Sequence, residues 1–282
     1  MRRYADTVKL YTISYTLLIT VAIPGMAIVS CTPCILDIFV PMNDSRPRRL
    51  PILVEYYFID EEVYFYIILT HICVTQYAGC IAVLAILMLL IAFVLHTCAL
   101  FKIASYRMEH ICDENVQVPK NLKQYVFYEK LIHAVHIHRR ALDLATIMTN
   151  SFAKFYFILL IVGLSLMVLN IINFVNAINL DDTKDLVIFT GIITLQSYYL
   201  YVANYVGQNV IDTSTDIHQA VYNTHWYTAP LWIQKSILFV IRKSNKKSVL
   251  KTGGLFDASL EGFATLVSMC MSYVMVFLST QE

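Results

Sequence analysis

Five long uncharged runs constrain the fold of this chain more than any other feature of its sequence. A helix needs about 20 mostly apolar residues to cross a hydrocarbon layer of about 30 Å. The chain of 282 residues is 58% hydrophobic and only 15% charged, with a mean hydropathy of +0.61. The sequence therefore predicts an all-α bundle of membrane-spanning helices, with five spans at about 10–36, 63–101, 155–180, 186–211 and 262–281.

The basic residues divide unequally between the two sides of these spans. Sixteen of the 21 Lys and Arg residues precede the first span or lie in the second and fourth connections. Because basic residues are retained in the cytoplasm during insertion, we expect a cytoplasmic N-terminus and an extracellular C-terminus. The one Asn-x-Ser/Thr sequence, at Asn43, lies in the first connection and is a predicted extracellular glycosylation site.

The long connections on the basic side predict helices outside the membrane, at about 102–150 and 212–256. The second uncharged run is too long for the hydrocarbon layer, so it either breaks at Gly79 or continues into the cytosol, and we favour the second. We expect Leu122–Ile147 to be helical as well, with Lys154 at the start of a helix. The apolar stripe of Leu122–Ile147 favours a cytosolic cluster across subunits. Gly253 and Gly254 predict a turn, and Asp257 predicts the N-cap of the last span.

The catalytic and metal-binding patterns in the sequence do not indicate any one class of enzyme. His133, His136 and His138 lack a third ligand on one helical face, which favours a solvated or interface helix over a metal site. A membrane enzyme built on these histidines stays the alternative. The absence of a mid-membrane carboxylate argues against a coupled transporter, and the net charge of +1 argues against a nucleic-acid partner.

Two side-chain patterns indicate ligand binding and a water-facing helix. Tyr198, Tyr201 and Tyr205 share one face of the fourth span, which suits either a cavity for a small lipophilic ligand or simple core packing. The last span carries hydroxyl side chains along one stripe, together with Val276 or Thr280. That stripe favours a helix that borders water, and the alternative is that Ser and Thr strengthen helix packing. The stripe comprises Thr265, Ser268, Ser272 and Ser279.

The C-terminal third of the chain resembles the insect odorant receptor family. The resemblance rests on a Tyr…Trp element, a basic helix, a Gly pair and a Ser-Tyr pair, with a Tyr-x-Gly and a Ser upstream. A ligand-gated channel of the gustatory receptor type, the nearest family with a similar pattern, is the alternative, and the Tyr…Trp element favours odorant receptors. The residues are Tyr205, Gly207, Ser214, Tyr222, Trp226, Tyr227, Lys235, Arg242, Gly253, Gly254, Ser259, Phe263, Ser272 and Tyr273.

The resemblance implies an odorant-gated, nonselective cation channel of the plasma membrane, which assembles with a co-receptor into a hetero-tetramer and needs neither cofactor nor catalytic residue. Family members have seven spans, so this chain would hold the third to seventh and lack the first two, and a non-functional truncated receptor stays an alternative. A G-protein-coupled receptor type would instead place the N-terminus outside.

By motif position, the family also implies roles for individual residues. Val276 would be the apolar gate of the pore, flanked by Ser272, Ser279 and Thr280. A pocket for a small volatile odorant would be lined by Ser30, His71, Val74, Thr75, Tyr198 and Tyr201.

Overall fold

The computed structural model describes residues 2–39, 50, 60, 63–111, 120–254 and 256–280. Nearly all of this part of the chain is helical, and a two-stranded antiparallel hairpin precedes the last helix. In chain order the elements are α1 (Arg2–Phe39), α2 (Phe65–Glu109), α3 (Lys120–Asn179), α4 (Thr183–Asn223), a 3-10 turn (Trp226–Thr228), α5 (Leu231–Ser244), β1 (Lys251–Thr252), β2 (Phe256–Asp257) and α6 (Leu260–Ser279).

Among the described residues, five helices are long and apolar enough to cross a membrane. They are α1, α2, α3, α4 and α6, which confirms the predicted all-α bundle with five candidate spans. The borders of each span and the assignment of segments to the cytosol stay predictions. Asn43 lies outside the described residues.

Four of the five long helices, α1 to α4, are longer than their apolar runs. As favoured from the sequence, α2 passes through Gly79 without a break. The helix predicted at Leu122–Ile147 is confirmed, and it is continuous with the third span in α3, a single helix of 60 residues. Lys154 therefore lies inside α3 rather than at a helix start. The joining stretch contains neither Pro nor Gly, so nothing in it removes a backbone hydrogen bond.

The described residues form two compact units, of which the first contains Met1–Val8, Leu89–Leu160 and Tyr201–Thr265. Its core is tightly packed, since Phe101, Met108, Ile217 and Ile233 are each 0% exposed. Specific contacts also join its helices: the Thr224 hydroxyl of α4 donates to the Met108 carbonyl of α2 at 3.1 Å. The C-terminal end of α2 thus packs on α4, as expected for a helix that continues beyond its apolar run.

The β hairpin of this first unit is held by close glycine contacts. Gly253 and Gly254 form its turn with φ of +61° and +74°, which confirms the predicted turn. The Gly253 N–H donates to the Ala153 carbonyl at 3.2 Å, and a Cβ at Gly253 would overlap the ring of Phe157. Thus the hairpin is seated on α3.

The second unit contains Lys9–Met88, Ile161–Leu200 and Leu266–Glu282. In it, Gln196 of α4 donates to the Gly163 carbonyl of α3 at 2.6 Å and accepts from the Asn170 amide at 3.4 Å. The short connection between these helices ends at Asp182, whose carboxylate accepts the Lys184 N–H at 3.1 Å and so caps α4.

The N-cap of α6 differs from the sequence expectation. The Ser259 hydroxyl accepts the Gly262 N–H at 2.9 Å, directly before the first helical residue. Asp257 instead lies in β2, opposite Lys251. The prediction of an Asp257 cap is therefore wrong, because the hairpin holds that residue in an extended strand.

Candidate ligand site and pore helix

An aromatic cluster joins α1 and α4 within the second unit. The Tyr15 and Tyr198 rings stack with centroids 6.2 Å apart and an interplanar angle of 21°. The Tyr198 hydroxyl lies 2.5 Å from the Ser14 hydroxyl. Tyr15, Ile19 and Ile23 form the buried centre of the cluster, and the partly buried side chains around them are Cys73, Tyr77, Cys80, Leu84, Leu195, Tyr198 and Tyr199.

A groove on the outer surface of α2 contains two of the predicted ligand residues. Its volume is about 510 Å³, and its walls combine apolar side chains with a few hydrogen-bonding groups. The groove is shallow and open, and all of its walls belong to one helix, whereas sites for small molecules usually enclose most of the ligand. The groove is lined by Tyr66, Ile67, Thr70, His71 and Val74.

The other predicted ligand residues lie elsewhere. Thr75 is exposed on α2 and donates to the His71 carbonyl at 2.8 Å, whereas Ser30 is 5% exposed and donates to the Met26 carbonyl at 3.1 Å. Tyr198 belongs to the second unit and Tyr201 to the first. The structure therefore brings His71 and Val74 together, and a single pocket for all six residues stays a prediction.

Tyr201 packs at the beginning of the last helix. Its ring lies edge-on to Phe263, with centroids 5.7 Å apart, and stacks on Tyr205 at 5.9 Å. Two residues further along α4, a Cβ at Gly207 would overlap the backbone of Ala258. The Tyr-x-Gly element thus packs α4 against the entry to α6.

The last helix has two contrasting faces. Leu266, Cys270 and Val274 are 2–3% exposed and form a buried stripe. At about 100° per residue, Ser272 and Val276 lie on the opposite side of α6. Val276 is 62% exposed, and the Ser272, Ser279 and Thr280 hydroxyls are exposed and donate to carbonyls of their own helix. All four predicted pore residues are therefore exposed, and Ser272 and Ser279 lie opposite the buried stripe.

The three histidines of α3 do not converge. His133 and His136 are exposed, whereas His138 is 6% exposed with its ring 6.2 Å from Phe101. Burial, reinforced by the charge of Lys243, lowers the pKa of His138. Within the described residues no three His, Cys, Asp or Glu side chains are grouped as metal ligands. The helix presents two solvated histidines and one core histidine.

Sequence reasoning missed the contacts that hold α4 in place. Ser14, Tyr15 and Gln196 carry no motif, and their partners lie far away in the chain. The available signal was the presence of polar side chains inside apolar spans, where hydrogen bonds between helices are expected. The sequence identifies Gly207 only as part of a motif, although its lack of a Cβ is what permits the contact with Ala258.

Long helices with exposed apolar faces, tied together by sparse polar contacts, define a multi-pass membrane protein. Its last helix combines a buried stripe with an exposed side that carries the Ser272 and Ser279 hydroxyls beside the apolar Met275 and Val276. The family described as 7tm Odorant receptor matches residues 1–271, and the chain belongs to that family.

Individual relatives agree with this membership. The chain is 25% identical to Odorant receptor 9a of Drosophila melanogaster over 206 residues, which is 72% of this chain and 49% of that protein. It is 31% identical to Odorant receptor 85f of the same species over 83 residues, which is 29% of this chain and 20% of that protein. The chain thus spans about half, or less, of the length of these relatives.

A solved structure has the same fold. The insect olfactory receptor OR5 from Machilis hrabei, in complex with eugenol, matches with a TM-score of 0.63 at 11% identity. The match covers 99% of this chain and 70% of that receptor.

Proposed function

We propose that this chain is an odorant receptor subunit that forms, with a co-receptor, an odorant-gated nonselective cation channel in the plasma membrane. The observation that carries the proposal is the two-faced geometry of α6. Its buried stripe packs within the chain, and its opposite face combines hydroxyls with the exposed Val276. Copies of such a helix around a central axis would line a path for ions.

The gate of this pore is Val276. An apolar ring closes a channel because water leaves a narrow hydrophobic constriction, and dilation of the ring restores conduction. Ser272 and Ser279 lie about one turn before and after Val276, and Thr280 follows at the outer end. Their hydroxyls accept hydrogen bonds from water on either side of the constriction while donating to the helix backbone.

The odorant binds in the outer half of the bundle. The α2 groove offers apolar walls with the His71 imidazole and the Tyr66 and Thr70 hydroxyls. Such a lining suits a small volatile molecule with one polar group, because it offers few hydrogen-bonding groups and mostly apolar contact. Val74 supplies part of that apolar wall, and the Tyr198 cluster lies on α1 and α4.

The orientation follows from the distribution of basic residues, with the N-terminus cytoplasmic and the C-terminus extracellular. The cytosolic ends of α2, α3 and α4, together with α5, hold the tetramer together in this proposal. Exposed apolar side chains on α3, such as Ile132 at 46%, are available for such contacts. An N-terminal tag accessible to antibody on intact cells would contradict this orientation and favour a G-protein-coupled receptor type.

The gate is tested by a matched pair of valines. Co-expression with a co-receptor should give an inward current on odorant application. Val276→Ser should raise the basal current severalfold, because a hydroxyl keeps the constriction wet. Val274→Ser is the control: this valine is 3% exposed, so substitution should lower surface expression without opening a leak. Equal basal currents for wild type and Val276→Ser would contradict the assignment of the gate.

A further inference from the structure

A basic segment without acidic residues leads from α5 to the last helix. Between Asp216 and Asp257 the chain contains no Asp or Glu. Four basic residues, here named the α5 basic cluster, lie at the end of α5 and directly after it: Arg242, Lys243, Lys246 and Lys247. All four are exposed. In the described part of the chain, no ion pair joins any of them to a carboxylate.

Contacts with α4 fix the height of this cluster along that helix. The His218 Nδ1 lies 3.3 Å from the Ile241 carbonyl and from the Ser244 hydroxyl. After the cluster, the Ser248 N–H donates to the Ser214 hydroxyl at 3.1 Å. The cluster therefore lies beside residues 214–218 of α4.

That position is close to the predicted end of the fourth span at residue 211. With a helical rise of 1.5 Å per residue, residues 214–218 lie about 4–10 Å beyond the apolar run. The Debye length at physiological ionic strength is about 8 Å, so charges at this height interact electrostatically with a charged membrane surface. The Gly253 contact with Ala153 places the following hairpin near the predicted start of the third span as well.

Of the described carboxylates near this border, none pairs with the cluster, and Asp216 is paired elsewhere. Asp216 pairs with Lys102 at 2.8 Å, Asp257 lies opposite Lys251 in the hairpin, and Asp212 accepts from Gln208 at 2.8 Å. Glu261 lies in the first turn of α6, where the helix dipole favours a carboxylate. The four charges of the cluster are therefore available to an external anion.

We propose that the α5 basic cluster binds anionic lipid headgroups of the cytoplasmic leaflet. Groups of four to eight Lys and Arg residues at the cytoplasmic end of a membrane helix recognise such lipids. Because the hairpin and α6 follow directly, bound lipid would fix the segment that enters the pore helix. This inference rests on the membrane orientation given under the proposed function.

The experiment measures lipid binding by the full chain in neutral detergent. Fluorescent short-chain phosphatidylserine and phosphatidylcholine are titrated separately, and binding is followed by fluorescence anisotropy. Phosphatidylserine should bind at least tenfold more tightly, and about 500 mM NaCl should abolish most of this preference. The preference for phosphatidylserine should disappear in a variant that combines four substitutions: Arg242→Gln, Lys243→Gln, Lys246→Gln and Lys247→Gln.

The matched control removes four basic residues that lie outside the cluster. It combines Lys130→Gln, Arg139→Gln, Arg140→Gln and Lys235→Gln and should keep the phosphatidylserine preference. An equal loss in both variants would mean that only net charge matters and would overturn the proposal. So would retained binding in the cluster variant, or a wild-type preference that does not change with salt.

Competition with inorganic phosphate distinguishes a lipid site from a general anion site. When phosphate replaces chloride at constant, low ionic strength, bound phosphatidylserine should stay in place, and displacement would overturn the assignment to lipid. Because the binding assay needs neither odorant nor ion conduction, failure of the channel function would leave its result unchanged. Lipid binding that fails while odorant-gated currents persist would overturn only the lipid site.

Discussion

The Tyr198 hydroxyl of α4 lies 2.5 Å from the Ser14 hydroxyl of α1, and the Tyr198 ring stacks on the adjacent Tyr15. One tyrosine thus makes a polar and an aromatic contact with consecutive residues of the facing helix. Ser14 also donates to the Tyr11 carbonyl at 3.0 Å, so its oxygen is oriented to accept the tyrosine proton.

The first prediction concerns this pair. Tyr198→Phe removes the hydroxyl and keeps the ring, and Ser14→Ala removes the partner. In a double-mutant cycle the two changes should couple by about 0.6–1.7 kcal/mol, as hydrogen bonds between membrane helices do. Thermal unfolding of the purified chain in detergent measures the coupling. Strictly additive effects would show that the hydroxyl contact contributes nothing to stability.

The second prediction concerns Gly207. In Gly207→Ala the new Cβ would overlap the Ala258 backbone, which cannot move without displacing the hairpin from α4. The variant should lose about 1–3 kcal/mol of stability. The control on the same helix is Gly191→Ala, where a Cβ meets nothing within 4 Å. Thermal unfolding and surface expression should fall only for Gly207→Ala, and comparable values for both variants would contradict the close packing.

The third prediction concerns Gln196. Gln196→Leu keeps a similar volume but leaves the Gly163 carbonyl without the 2.6 Å bond and the Asn170 amide without its acceptor. We expect the free energy of unfolding in detergent to fall by about 1–2 kcal/mol. Thr194→Val serves as the control, because the Thr194 hydroxyl donates only within its own helix, to the Thr190 carbonyl at 2.7 Å. Thermal unfolding measures this effect. A thermal midpoint unchanged by Gln196→Leu would argue against a stabilising link between α3 and α4.

The fourth prediction is a pH dependence of stability at His138. Burial, followed in importance by the charge of Lys243, lowers the pKa of this imidazole in the folded chain, whereas the pKa of a histidine in an unfolded chain is about 6.5. Below about pH 6.5 the His138 imidazole therefore binds a proton more readily in the unfolded chain than in the folded chain. The free energy of unfolding consequently falls as the pH falls. Above that pH the imidazole is neutral in both states and contributes no slope.

The measurement compares thermal midpoints above and below this pH. His138→Gln should show a smaller decrease on acidification than wild type. His136→Gln, which changes an exposed imidazole on the same helix, should behave like wild type. An identical decrease in wild type and His138→Gln would show that this histidine is not the group that titrates.

The sequence by itself determined that the chain is a multi-pass helical membrane protein. Apolar run length is set by the thickness of the hydrocarbon layer, so it predicts spans without knowledge of any partner. The C-terminal motif indicated the odorant receptor family, which the match over residues 1–271 confirmed. The hydroxyl stripe of α6 could also be predicted, because the helical repeat alone places Ser272 and Ser279 on one face.

The tertiary structure alone decided which helices meet and where the long helices end. The continuity of α3 through Lys154 escaped the sequence because Asn150 and Ser151 weaken a helix only slightly, whereas tertiary packing decides whether it continues. The Ser14–Tyr198 and Gly207–Ala258 contacts join residues far apart in the chain. Helical periodicity shows which side of a helix is apolar, but which neighbour covers that side depends on packing between distant segments.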